Sequence, residues 1–261
     1  MTATAPEILV ERDGPVLTVT FNRPEARNAM TWAMYERLNE ACDEVDADDG
    51  IRVMVLRGAG GKAFVAGTDI SQFRAFTTPE AGLEYEKGGD QRSGRVERVT
   101  KPVIAQIQGY AVGGGFNICA VSDLRVATPD ARFGVPIART LGNCLSMETY
   151  SRFVDLFGPS RVKQMIFTAK LFSAEEMLQA GFVHEIVEPD AIEGHVAELA
   201  QRVASYAPIT IQVTKEALRR IGEQRRATGG DDLIQRTYTS DDFREGVSAF
   251  LEKRKPNWTG R

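Results

Sequence analysis

Two hundred and sixty-one residues, 43% hydrophobic and 26% charged, suffice for one sizeable packed core and exclude a mini-protein or a mostly disordered, collagenous or coiled-coil chain. Thirty-two Lys and Arg against 36 Asp and Glu give a formal charge of -4, with the basic residues scattered except at the far C-terminus. A nucleic-acid partner, which needs a basic face, is therefore not expected. No apolar run approaches the roughly 20 residues of a membrane span. MTATAPEILVERDG lacks a cationic start followed by a long apolar block, so a cytoplasmic protein is expected. Cys42, Cys119 and Cys144 have no C-x-x-C spacing and read as small buried hydrophobes rather than a disulfide or zinc frame.

Two β-type runs, EILVER at 7–12 and VLTVTFN at 16–22, meet across Asp13-Gly14-Pro15, a step that predicts a hairpin. Thr31 is placed to cap a helix in which Trp32, Tyr35, Leu38, Cys42 and Val45 recur every three or four residues; Asp49-Gly50 ends it. IRVMVLRG at 51–58 is nearly continuous in apolar side chains, as a strand covered on both faces would be, and the order strand, helix, strand favours a right-handed crossover. A Gly-rich loop, GAGGKAFVAGTDI, occupies 58–70. Thr77-Thr78-Pro79-Glu80 offers a capping box with Pro in the first turn. The helix it starts is polar nearly all round to about Val99 and is expected to face solvent and move. PVIAQIQ at 102–108 is a second buried strand, and in GYAVGGGFNICAVSDLRVATPDARFGVP a Gly run opens an apolar helix followed by two strand-like pieces. Helical patterns then dominate, at 143–157, 160–169, 174–180, 190–205, 208–221 and 231–252, interrupted by strand-like GFVHEIV. The expectation is an α/β core over 1–195 with a helical C-terminal region over 196–261.

Gly58-Ala59-Gly60-Gly61-Lys62 follows a strand but fits no nucleotide motif well. A phosphate loop needs four residues between its first Gly and Gly-Lys, then Ser or Thr, whereas position 56 is Leu and position 63 is Ala. A dinucleotide fingerprint on Gly58, Gly60 and Ala63 needs a helix where AFVAGTDI continues as loop or strand. Gly113-Gly114-Gly115 opens an apolar helix, whose first N–H groups lack internal partners and sit at the positive end of the dipole. They can present amides to an anion or a developing oxyanion; close packing of helix on strand calls for the same glycines. Together with AFVAGTDI, a second Gly-bearing bend, the balance moves toward the anion site.

FNRPEARNAM (21–30), AFVAGTDI (63–70), KPVIAQIQGYAVGGGFN (101–117), SDLRVATPDARFGVP (122–136) and FLEKRKPNW (250–258), taken in order over nearly the whole chain, resemble the crotonase superfamily, the enoyl-CoA hydratase/isomerase family. The resemblance implies an α/β spiral of ββα units with a helical C-terminal region, assembled as a homotrimer or a hexamer built as a dimer of trimers. It implies an acyl-CoA thioester as substrate and no further cofactor. An oxyanion hole would fall on the backbone N–H groups of Thr68 and Gly114 beside Gly113. Ala63, Ala66, Asp69 and Ile70 would line the adenine and pantetheine path, with Arg27 near its entrance. Phe250, Lys253 and Lys255 would reach the nucleotide of a neighbouring subunit, where cations suit a pyrophosphate and a 3′-phosphate; a solvated tail is the alternative for Lys253-Arg254-Lys255. Pocket walls fall to 71–99 and 139–149.

The family's hydratases use one Glu at the second position after the Gly triplet and another directly after the Pro of F-x-x-P. Here those positions are Asn117 and Ile137. Neither side chain exchanges a proton near neutral pH, so paired-carboxylate hydration is disfavoured. Other proton carriers are then required: Glu148, on the helix after Gly142-Asn143, is one candidate, and Arg139 beside Thr140 could hold a substrate carboxylate. Glu84, Tyr85, Glu86 and Asp90 lie where some family members place an acyl-pocket residue, although so charged a helix is usually just solvated. Asp123 is expected to cap backbone amides, His184 to be a satisfied core group and His195 to be exposed; their spacing supports no Ser-His-Asp triad. The leading expectation is an enzyme that stabilises a thioester enolate, with Asn117 hydrogen-bonding substrate or water. A non-catalytic acyl-CoA-binding protein and a thioester hydrolase or decarboxylase of the same fold are the alternatives.

Overall fold

The computed structural model describes residues 5–75, 78–226 and 229–261, and it opens on the hairpin that the Asp-Gly step predicts. Strands β1 (Ile8–Asp13) and β2 (Val16–Phe21) pair antiparallel across Gly14. Helix α1 (Trp32–Ala47) starts where Thr31 Oγ1 accepts the Met34 N–H at 3.2 Å, and it buries Tyr35, Leu38, Cys42 and Val45. Strand β3 (Val53–Gly58) lies parallel to β2, its Val53, Met54, Val55 and Leu56 all buried.

From β3 onward the chain repeats one plan: a strand joins the first sheet, the next joins a second sheet, and a helix returns. The turns are β3, β4 (Ala63–Val65) and α2 (Pro79–Glu97), then β5 (Val103–Ile107), β6 (Tyr110–Val112) and α3 (Gly114–Val121), then β7 (Leu124–Ala127), β8 (Arg132–Gly134) and α4 (Ile137–Thr140). After them come α5 (Met147–Phe167), β9 (Phe172–Ser173), α6 (Ala174–Gln179), β10 (Glu185–Ile186), α7 (Ile192–Ala204), α8 (Pro208–Arg225), α9 (Asp231–Tyr238) and α10 (Asp241–Leu251). The first sheet has the order β1-β2-β3-β5-β7-β10, parallel from β2 on, and the second β4-β6-β8-β9, with only β9 antiparallel. This is the expected ββα spiral with a helical end. The break predicted between 157 and 160 is a left-handed Gly158 followed by Pro159 inside α5. The stretch 231–252 is two helices, because Ser240 caps α10 through the Phe243 N–H at 3.0 Å.

The main core lies between the two sheets and α1, α3 and α5, with Phe116, Phe153, Phe157 and Phe182 packed ring against ring. A second cluster joins Ile192, Val196, Leu199 and Ala200 of α7 to Val53, Val55, Ile104 and Val126 of the first sheet. A division after residue 195 thus falls inside a helix that covers that sheet. A third cluster sets Phe73 and Leu141 against Ile234, Tyr238, Phe243 and Val247 of α9 and α10. Cys42 and Cys119 are buried and Cys144 is half-buried. Among the described residues no helix is long and apolar enough to cross a membrane.

Helix α2 departs from expectation. Its Thr77 lies outside the described residues, while Thr78 accepts the Ala81 N–H at 3.4 Å. The helix turns only one face to solvent, with Glu84, Lys87 and Gln91 exposed, while on the other Glu86, Ser93 and Val96 are buried and a Cβ on Gly82 would come 2.4 Å from the Tyr238 ring. The charges it turns inward are tolerated because they are paired. Arg95 binds Asp43 and Asp46 of α1, Asp90 accepts the Ser146 O–H at 2.6 Å, and Glu97 takes Arg152 of α5 and Arg226 beyond α8. Arg152, 4% exposed, also binds Glu148, so one guanidinium ties α2 to α5. Replacing Arg152 with Met should cost about 3 kcal/mol by leaving both carboxylates short of a partner. Urea denaturation with an unchanged m-value would measure that loss.

Candidate active site

The second sheet sets the site. Strands β4, β6 and β8 are parallel, so the segments that follow them leave from one edge. Residues after β4 are templated by 27–30: Met30 N–H donates to Gly67 O at 2.9 Å and Asp69 N–H to Met30 O at 2.9 Å. In such a parallel bridge the intervening Thr68 turns its own N–H away from Met30. Buried Asn28 fixes the template, its Nδ2 donating to Ala59 O and Ala63 O. After β6, Gly113 has φ 55 and ψ -122, a conformation open to Gly, and it caps α3 with no side chain in the way. The two bends touch through their backbones: a Cβ on Gly113 would lie 3.5 Å from Gly67 Cα, and one on Gly115 would strike Val65 O at 2.1 Å.

Among the described residues the Thr68 and Gly114 amides have no hydrogen-bond acceptor. Both residues line a cavity of about 510 Å³. Thr68 is held by its side chain, whose Oγ1 meets the Tyr35 hydroxyl at 2.9 Å and the Tyr85 hydroxyl at 3.2 Å. Arg27, Ala66, Asp69, Ile70, Gly113 and Phe250 also line the cavity, as do Asn117 and Ile137 at its inner wall. Arg27 stacks over Tyr110, 5.5 Å from the ring centroid. Burial pushes the Asp69 carboxyl up, but the Ser71 hydroxyl and amide and Arg23 outweigh it and hold it low. Asn117 Oδ1 is buried and has no hydrogen-bond partner among the described residues.

Glu148, Ala63, Arg139 and Lys253, singled out in the sequence, lie apart from this lining. Glu148 is not on the cavity wall; its carboxylate binds Arg152 and Arg226. Its neighbour Thr149 and, one turn on, Phe153 face the cavity instead, since one residue along a helix rotates a side chain by roughly 100°. Ala63 is buried behind the wall, Arg139 is exposed on α4, and exposed Lys253 follows α10. Elsewhere Asp123 accepts the Val103 N–H at 2.7 Å, His184 Nδ1 accepts the Arg125 N–H at 3.1 Å, and His195 pairs with Glu185 at 2.7 Å.

What the sequence undervalued is α2. Tyr85, Gly89, Arg92, Ser93 and Val96, spaced as one helical stripe, form a cavity wall with Glu86 beside them. Arg92 lies over the rings of Trp32, Tyr35 and Tyr85, 5.2, 4.7 and 5.9 Å from their centroids. Glu86, 7% exposed, accepts the Tyr238 O–H at 2.5 Å and the Ser146 N–H at 3.1 Å. Burial raises its carboxyl to about 7; the Tyr238 bond opposes this, Asp90 adds to it, and Ser146 and Arg92 oppose it. The spacing was the available signal, but with polar and small residues in the stripe it carries almost no hydrophobic contrast.

Comparison with known proteins agrees with this architecture. The pattern of the family described as enoyl-CoA hydratase/isomerase matches residues 11–261. The short-chain-enoyl-CoA hydratase of Clostridium acetobutylicum is 34% identical over 251 residues, 95% of each chain. An enoyl-CoA hydratase/carnithine racemase of Magnetospirillum magneticum superposes with a TM-score of 0.80 at 31% identity, over 99% of this chain and 97% of that one. Methylmalonyl-CoA decarboxylase in complex with 2-nitronate-propionyl-CoA superposes with a TM-score of 0.89 at 29% identity, over 99% of this chain and all of the other.

Because the Glu86 carboxyl is raised in the folded state, the native protein holds that proton more tightly than the unfolded chain. Its contribution is present below about pH 4.5 and is lost as pH climbs through about 7. Glu86→Gln removes this dependence. Thermal melts should show the variant gaining on the parent between pH 4.5 and 8, by on the order of 3 kcal/mol; parallel curves would contradict the burial effect.

Proposed function

The chain belongs to the enoyl-CoA hydratase/isomerase family and acts on acyl-CoA, and from that premise we propose that the amides of Thr68 and Gly114 grip the thioester carbonyl and stabilise an enolate. One observation carries the reading: two acceptor-free amides, on bends whose backbones touch, line the same cavity. Donors fixed in a main chain need no reorganisation as charge develops, and one such donor contributes about 3 kcal/mol to an acyl-transfer transition state. The positive end of the α3 dipole acts in the same direction. Arg27, Ala66, Asp69, Ile70 and Phe250 would flank the pantetheine path, with Ala63 supporting it from behind and exposed Lys253 and Lys255 meeting phosphates. Asn117 would hydrogen-bond substrate or water. No further cofactor enters this reading.

With Asn117 and Ile137 where paired carboxylates would stand, hydration through those positions is not part of the proposal. A second reading has its own support. The decarboxylase superposes over nearly the whole chain, and loss of CO2 from a 2-carboxyacyl thioester yields the enolate without a base. Assembly as a homotrimer or hexamer would cover α8, which buries no residue and exposes Ile209, Val213, Leu218 and Ile221.

Enolate formation is read directly by exchange of the α-hydrogens of butyryl-CoA in D2O. Gly114→Pro deletes one donor at a first helical position that tolerates Pro. It should be combined with Tyr35→Phe, because a Cβ on Gly114 would meet the Tyr35 hydroxyl at 2.7 Å. The double variant should exchange about 100- to 1000-fold more slowly than Tyr35→Phe alone; equal rates would remove the oxyanion assignment. Crotonyl-CoA hydration at a rate ordinary for hydratases would overturn the view of positions 117 and 137. Release of CO2 from methylmalonyl-CoA would select the second reading.

A further inference from the structure

We propose that Glu86 is the acid/base of this cavity, taking up and returning the proton on the acyl carbon next to the thioester carbonyl. The inference rests on the acyl-CoA reading above and adds the group that reading leaves unassigned. Two carboxylates line the cavity among the described residues, Asp69 and Glu86. Asp69 is committed to Arg23, the Ser71 amide and the Ser71 hydroxyl. Glu86 is held differently. Tyr238 donates to one of its oxygens and the Ser146 amide to the other, and Tyr238 is itself steadied by Asn143 Nδ2 at 3.3 Å. Each oxygen keeps a further lone pair for a proton.

A purely bracing role for Glu86, tying α2 to α9 and to the start of α5, would require only those two hydrogen bonds. Gln could make both, its carbonyl accepting from Ser146 and its amide donating to the Tyr238 oxygen, without the desolvation cost of a buried acid. A carboxyl in that wall is therefore better explained by proton transfer than by packing. The titratable and charged groups facing it are Asp90, Arg92 and Tyr85 on α2, Tyr35 on α1, Tyr238 on α9, Cys144 before α5 and Tyr150 on α5. Their balance leaves Glu86 titrating near neutrality, where transfer in either direction is efficient.

The step balances within the substrate and this side chain. The ionised Glu86 carboxylate forms a bond to the α-proton, the Cα–H pair becomes the carbon–carbon double bond, and the carbonyl π pair moves onto the oxygen held by Thr68 and Gly114. Reversal returns the proton, or in D2O a deuteron that the carboxyl has exchanged with solvent entering the cavity. After loss of CO2 from a 2-carboxyacyl ester, the same carboxyl, protonated, would quench the enolate.

Exchange of butyryl-CoA α-hydrogens in D2O tests this, with binding of the same ester followed by calorimetry. Glu86→Gln should bind within about threefold of the parent and exchange at least 100-fold more slowly, while Glu86→Asp, which keeps the carboxyl, recovers part of the rate. Exchange by the parent should rise with pH through about 7, and the residual rate in Glu86→Gln should show no such inflection. A Glu86→Gln protein that melts cooperatively and exchanges at the parent rate overturns the proposal. So does a parent that binds the ester without exchanging it. Slow exchange in the Gly114 double variant beside unchanged exchange in Glu86→Gln would keep the oxyanion hole and discard Glu86. Absence of butyryl-CoA binding by the parent would remove the acyl-CoA reading and this inference with it.

Discussion

The site depends on one close approach of backbone to backbone. Val65 and Gly67 at the end of β4 sit against Gly113 and Gly115 at the start of α3 so tightly that a single methyl group on Gly115 would overlap a carbonyl oxygen. The spiral makes this approach possible. Because β4 and β6 are parallel neighbours, their C-terminal ends open on the same edge, where ligand sites of parallel sheets form. Asn28 locks the arrangement from outside by bonding carbonyls on either side of the intervening loop. A pair of main-chain donors built this way depends on the sheet and the glycines rather than on the identity of any side chain.

The opposite wall follows another rule. Helix α2 brings a row of charged groups inward, and each is tolerated because a partner from another element meets it: Asp43 and Asp46 on α1, Ser146 and Arg152 at α5, Tyr238 on α9. Arg92 is stabilised instead by three aromatic rings. The wall is thus polar yet partly buried, and an ionisable group within it feels that burial. Glu86 is the clearest consequence.

The hairpin, α1, the buried strands β3 and β5 and most C-terminal helices were legible, since each carries its own period or cap. Thr31, Asp13-Gly14 and the Gly158-Pro159 break act locally, and local chemistry can be read locally. Strands of the second sheet were harder: β4, β6 and β8 are three residues each, too short for alternation to register. The orientation of α2 was hidden for a different reason. Its burial is decided by partners that arrive from far along the chain, such as Ser146 and Tyr238, 60 and 152 residues from Glu86. The two Gly-bearing bends were legible as candidates for an anion site, yet only the bridge to Met30 gives the direction in which the Thr68 amide points.

On the proposed reading, these two walls divide the chemistry. A hole made of amides lowers the energy of an enolate whatever generated it, whether proton removal or loss of CO2. It therefore cannot by itself choose the reaction. That choice passes to the groups that surround the α-carbon, and here Asn117 and Ile137 offer none that titrates. A carboxyl on α2 meets the same chemical need from the other side of the substrate, and its surroundings resolve a conflict that an exposed carboxylate would not face. A base with the ordinary carboxylate range is too weak for a thioester α-proton, whereas desolvation strengthens it toward neutrality without abolishing the ionised form. The hydrogen bonds from Tyr238 and Ser146 set the limit: without them burial would favour the neutral acid still further, and the group could donate a proton but seldom accept one.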